Sequence, residues 1–254
     1  MIISASRRTD IPAFFGKNFF DSLINGTFKI VNPFNRKVSY LTFQQSDIDG
    51  IVFWSKNPKP FFPYLREIKD RGFQFYFQFT LNNYPEKIEP YLANIKERID
   101  IFNELATIIK PYKIIWRYDP IILSSNFNKD FHKENFEMIL SQINENTYKI
   151  TVSIVTMYRK IKKFFPNIEK NKKQEEAIIK ELNLIAKNYG KIVTTCCYKV
   201  AGIESAKCVD GKIFNPKLAV KKHYGQRAQC RCDKSVDIGE YGTCKYRCLY
   251  CYAR

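Results

Sequence analysis

One layout recurs along the chain and constrains it more than any other feature: a short apolar run, a polar cluster, then a proline. Ile2-Ile3-Ser4-Ala5-Ser6 leads into Arg7-Arg8-Thr9-Asp10 and Pro12. Ile51-Val52-Phe53-Trp54 leads into Ser55-Lys56-Asn57-Pro58, and Lys113-Ile114-Ile115-Trp116 into Arg117-Tyr118-Asp119-Pro120. Short β-prone apolar runs bounded by such punctuation read as buried strands. Helical patterns lie between them, at 13–24, 60–70, 86–109 with a break near Pro90, 130–144, 158–165 and 174–188. Strands alternating with helices predict parallel βαβ units. Strands are expected at 2–6, 51–54, 73–80, 113–116, 149–155 and 191–195. Six such units predict an α/β fold, a partial TIM-like (β/α)6 barrel. Loops at strand C-terminal ends carry function in such folds, so the polar clusters are candidate site residues. The plainer alternative is a set of surface loops, with Asp10 capping the next helix.

Residues 73–80 alternate Phe73, Phe75, Phe77 and Phe79 with Gln74, Tyr76 and Gln78; an inward glutamine face would mark a polar lumen. Residues 28–31 and 38–43 read as a small paired excursion. Beyond residue 195 regular periodicity stops and Gly, Lys and Cys rise. The expected organisation is a barrel over 1–195 and a Cys-rich extension over 196–254, packed on the same domain.

No run of eighteen apolar residues occurs, so no transmembrane helix is expected. The first apolar run has no charged leader and reads as a strand, not a signal peptide. The expected compartment is the reducing cytoplasm, where the eight cysteines suit metal better than disulfides. The formal net charge is +17, and such a chain is drawn to polyanions, nucleic acid among them. Its densest basic run, at Arg159, Lys160, Lys162, Lys163, Lys170, Lys172 and Lys173, reads first as a solvated helix face and loop.

The strongest chemical signal is Cys244-Lys245-Tyr246-Arg247-Cys248-Leu249-Tyr250-Cys251. A turn with this spacing can aim three thiolates at one point. A structural zinc closes with four protein ligands, whereas three thiolates on a [4Fe–4S] cluster leave one iron open. The CxxxCxxC spacing, with an aromatic before the last Cys, resembles the cluster motif of radical S-adenosylmethionine (SAM) enzymes. A zinc knuckle is the alternative. Five further cysteines, Cys196, Cys197, Cys208, Cys230 and Cys232, are enough for a second [4Fe–4S] cluster or a structural zinc. Adjacent residues of an extended chain point to opposite sides, so only one of Cys196 and Cys197 is expected to ligate. Free buried thiols are the other option.

Taken together, Ser-Ala-Ser-Arg-Arg-Thr-Asp-Ile-Pro, Phe-Trp-Ser-Lys-Asn-Pro, Trp-Arg-Tyr-Asp-Pro, Asp237-Ile238-Gly239 and the terminal cysteines carry a resemblance that runs end to end. The chain resembles the bacterial family named domain of unknown function 1848, recognised for a C-terminal cysteine cluster like the N-terminal one of radical SAM enzymes. The resemblance implies a radical-SAM-like enzyme acting on an unknown substrate. Cys244, Cys248 and Cys251 would hold the cluster, and its open iron would chelate SAM. Arg7, Arg8, Lys56 and Arg117 would meet the SAM carboxylate; Asp10, Asn57 and Asp119 would accept from its ribose and ammonium. An electron donor such as a flavodoxin or ferredoxin is implied. In radical SAM proteins the motif follows the first barrel strand, whereas here it lies at 244–251. Two other classes stay open: a zinc- or cluster-stabilised nucleic-acid-binding module, and an electron-transfer protein whose terminal cluster gains a fourth ligand such as His223. His132, in a helical pattern, reads as structural.

Overall fold

Residues 1–166, 168, 171–219, 221–222 and 226–254 are described by a computed structural model. Its strands are β1 (Ile2–Ala5), β2 (Thr27–Val31), β3 (Val38–Thr42), β4 (Gly50–Ser55), β5 (Phe75–Thr80), β6 (Ile114–Ile121), β7 (Lys149–Ile154), β8 (Ile192–Thr195), β9 (Glu204–Ser205) and β10 (Ser235–Asp237). Its helices are α1 (Ile11–Phe14), α2 (Gly16–Ile24), α3 (Phe62–Asp70), α4 (Ile95–Ile108), α5 (Lys129–Ile143), α6 (Arg159–Lys162) and α7 (Lys172–Asn188). Eight strands form one sheet in the order β10-β1-β4-β5-β6-β7-β8-β9, and every neighbouring pair is parallel. Among the described residues the sheet is open, not closed on itself. β2 and β3 form the expected antiparallel excursion.

The register explains how the two faces differ. Ala5 aligns with Phe53, Phe53 with Phe77 and Phe77 with Ile114; Phe79 aligns with Trp116, and Trp116 with Ile150. These rows belong to one core that also holds Leu65, Phe102, Phe136 and Leu182 from α3, α4, α5 and α7. Side chains one position along point to the other face. There Trp54 aligns with Gln78, and a polar row runs through Thr80, Arg117, Thr151 and Thr194. Tail residues cover this face: Val52, Tyr76 and Ile115 share a core with Ala206, Cys208, Val209, Cys230 and Cys232. The alternation read in 73–80 therefore has its phenylalanines under helices and Gln78 under the tail.

Three expectations shift. The helix expected at 86–109 begins at Ile95, because the Asn94 side chain accepts from Glu97 N and caps it there. The 13–24 helix breaks at Phe15, whose backbone (φ −133°, ψ 20°) is not helical. β6 runs on to Ile121, through a register shift between Tyr118 and Ile121. Arg117 and Asp119 thus sit on a strand, not in the loop beyond it. The tail is less separate than its composition suggests, since it contributes β9 and β10 to the two sheet edges.

Candidate functional site

A cavity of about 1430 Å³ opens beyond the C-terminal ends of β1, β4, β6 and β7. All eight cysteines line it. Six of the seven polar residues singled out after strands line it too: Arg7, Arg8, Asp10, Lys56, Arg117 and Asp119. Asn57 does not. Its side-chain oxygen accepts from Lys59 N at 3.1 Å and fixes the turn before α3, a local use to which Asn is suited.

The terminal cysteine loop is tied down by buried polar groups. Tyr250 O–H donates to the Glu89 carboxylate. Lys56 Nζ donates to Glu89 Oε1 at 2.9 Å and to the Tyr250 hydroxyl at 2.7 Å. Arg98 Nη1 lies 3.2 Å from Glu89 Oε2. Burial alone would raise the Glu89 pKa, but Lys56 and Arg98 outweigh it and hold the carboxyl below its usual range. Leu249 N also donates to Ile88 O at 2.9 Å. Lys56 is therefore a brace under the loop as well as a cavity wall. The Cys251 sulfur accepts from Ala253 N at 3.4 Å; the Cys244 sulfur accepts from the backbone N–H groups of Tyr246 and Asp10. Burial pushes the bare Cys248 thiol up to about 12, while nearby Lys56 pulls it the other way.

Asp10 acts as the cap foreseen in the plainer reading. Its carboxylate accepts from Ala13 N at 3.1 Å, Ser55 Oγ at 2.8 Å and Lys56 N at 2.7 Å. Burial raises its pKa to about 6. Arg7 Nε donates to Asp237 Oδ2 at 2.7 Å, and Arg8 Nη1 donates to the carbonyls of Val31 and Gly239. Arg117 turns away from the terminal motif. It pairs with Asp119, donates through Nη1 to Gln78 Oε1 at 3.2 Å and to the Cys208 sulfur at 3.0 Å, and lies over the Trp54 ring. Burial opposes its charge, but Asp119, Cys208 and Cys196 raise its pKa overall. Asp119 also accepts from the Ser153 hydroxyl.

The second cysteine set converges. Its thiols form a closed ring of neighbours: Cys196, Cys197, Cys230, Cys232, Cys208 and back to Cys196. The expectation that Cys196 and Cys197 face opposite ways does not hold. Cys197 has φ +52°, so the chain is not extended there and both thiols face the cavity. Among the described residues, no three His, Cys, Asp or Glu side chains are drawn together as the ligands of one metal ion would be. His223 and Lys170 lie outside the described residues. His132 is buried, with Nε2 donating to Ile122 O and Nδ1 accepting from Tyr118 O–H, each at 2.9 Å, a structural role. Of the basic run, Arg159, Lys160 and Lys163 line the cavity, while Lys172 and Lys173 are exposed on α7.

Sequence reasoning missed Glu89 and Arg227, and it quoted Asp237 without seeing that it partners Arg7. Glu89 sat inside a stretch that read as helix. Asp237 lies on a three-residue strand, too short for any periodicity to show. Arg227 stood among unpatterned tail residues. The fold and the clustered cysteines define a cysteine-rich α/β protein with a large cavity at the end of a parallel sheet. The chain belongs to the family described as domain of unknown function 1848, whose model matches residues 2–253. No curated protein matches it.

Proposed function

We propose that the protein is a radical-SAM-like iron–sulfur enzyme, its sheet a partial TIM-like barrel whose interior face is lined by the tail. One observation carries the reading: the CxxxCxxC cysteines and the polar ends of β1, β4 and β6 surround a single cavity. The barrel reading is supported by strands β1, β4, β5, β6, β7 and β8 running parallel in chain order, with the helices on one face. Parallel order places all strand C-terminal ends on one side.

The three thiolates fit a [4Fe–4S] cluster by the chemistry of the donor set. N–H groups reach the sulfurs of Cys244 and Cys251, as suits thiolate ligands whose charge must be spread. When bound, such a cluster supplies one electron for reductive cleavage of SAM to a 5′-deoxyadenosyl radical. Cys244, Cys248 and Cys251 would hold the cluster. Lys56, braced by Glu89 and Tyr250, places a fixed cation beside Cys248 and Cys251. Arg7 and Arg8, steadied by Asp237 and backbone carbonyls, present cations to a carboxylate. Tyr246, Tyr250 and Phe14 pack around the loop and exclude water from it. Arg159, Lys160 and Lys163 on the cavity wall support an anionic substrate, nucleic acid included.

Anaerobic reconstitution tests the proposal. The protein should bind iron and sulfide, and with SAM and a strong reductant it should release 5′-deoxyadenosine. Cys248→Ala should abolish that release while leaving the fold. Stoichiometric zinc without iron, or a loaded cluster that never cleaves SAM, would remove the enzyme reading.

A further inference from the structure

We propose a second iron–sulfur site on the interior face of the sheet, ligated by Cys196, Cys208, Cys230 and Cys232, with Cys197 beside it as an uncoordinated thiol. The site is distinct from the terminal motif and does not depend on SAM being bound.

The ring is built, not incidental. Cys208 is anchored by the sheet: its carbonyl accepts from Tyr76 O–H and from Gln78 Nε2, each at 2.8 Å. Tyr76 and Gln78 are both buried on the tail-covered face. Asp233 steadies the Cys230–Cys232 turn by accepting from Gly211 N at 2.8 Å and pairing with Lys207 at 2.7 Å. These are the supports that hold first-contact ligands in place around a metal.

An N–H group reaches four of the five sulfurs. Arg117 Nη1 lies 3.0 Å from Cys208, Val209 N 3.4 Å from Cys232, Cys232 N 3.5 Å from Cys230 and Arg227 Nη2 4.0 Å from Cys196. Donors aimed at sulfur suit thiolates; neutral thiols need none, and burying a charge without such partners is costly. Arg117 is the decisive donor. It is only 5% exposed, and its carboxylate partner, the half-buried Asp119, is shared with Ser153. A guanidinium there has a use if the sulfurs beside it are anionic. The reading also gives β6 a role: Arg117 stands on the polar row of the sheet, opposite the helices, where the tail meets it.

Four thiolates close a [4Fe–4S] cluster. A lone zinc would also take four thiolates, so the metal counted after reconstitution separates the two. Five is one thiol too many. Cys197, in the left-handed region at φ +52°, sits between Cys196 and Cys230 in the ring and is assigned as the extra.

The test removes the terminal motif first. In a Cys244→Ala/Cys248→Ala/Cys251→Ala background, anaerobic reconstitution with ferrous iron and sulfide should leave about four irons and four sulfides per chain. Adding Cys197→Ala should leave that count unchanged, whereas adding Cys196→Ala or Cys208→Ala should reduce it to a small fraction. A background chain with no iron and sulfide, or with one zinc, overturns the site. Loss of iron in Cys197→Ala with retention in Cys196→Ala overturns the ligand assignment. The background count stands even where a single variant fails to fold. Because SAM cleavage is absent throughout, failure of the enzyme reading leaves this result untouched.

Discussion

Tyr250 lies between two charges: its hydroxyl donates to Glu89 and accepts from Lys56. Tyr250→Phe removes one hydroxyl and leaves both charges short of a partner. Hydrogen bonds to charged groups contribute ~1.5–3 kcal/mol, so anaerobic denaturation should show a loss of that order, with weaker iron retention at the terminal motif. Glu89→Ala should cost more, ~3–5 kcal/mol, because it leaves the buried Arg98 and the half-buried Lys56 without their carboxylate. An unchanged midpoint in Glu89→Ala would mean that the loop is held by its cysteines alone. His132 gives a pH test at the same scale. Burial lowers its pKa from the usual 6.5 to about 4, so the folded chain binds fewer protons than the unfolded chain between those values. Stability is full above pH 6.5 and falls as the pH drops toward 4, by ~3 kcal/mol from this group. Urea midpoints from pH 7 to 4.5 should fall more steeply in wild type than in His132→Gln.

At the scale of elements, β4 meets the tail at close quarters. A Cβ on Gly50 would stand 2.4 Å from the Phe214 ring, which packs on Tyr76 with centroids 5.2 Å apart. Gly50→Ala should therefore lever the tail off the sheet and cost ~1–3 kcal/mol, the usual range for overpacking, read by thermal unfolding. The elements themselves were largely legible in the sequence. Apolar runs such as Ile51-Val52-Phe53-Trp54 and the Phe alternation of 73–80 located every strand of the central six, because burial under helices leaves a period-two or continuous apolar mark. Their polar successors were legible as cavity residues, apart from Asn57. The partners were not. Arg117 reads as one more residue after a strand, and nothing local says that it faces Cys208, 91 positions on. β9 and β10 were invisible for a related reason: strands of two and three residues are defined by pairing with β8 and β1 and carry no pattern of their own.

Over the whole molecule, the sheet has one face stabilised by helices and one by a tail with little regular structure. Small irregular regions with few apolar contacts open readily, and bound metal adds folding energy where a core is thin. Stripping iron from the reconstituted protein with a chelator should speed amide exchange across 206–214 and 230–237, while α5 stays protected. Equal acceleration in both regions would show that the two faces unfold as one. The placement of β1 has a further consequence. β1 is an inner strand whose neighbours are β4 on one side and β10 on the other, with Ile2 aligned to Ser235. On a ribosome adding ~5–20 residues per second, the first strand waits on the order of ten to fifty seconds for its second neighbour. For that interval its free hydrogen-bonding edge is open to any other extended chain nearby, and it closes only shortly before the last cysteines are made.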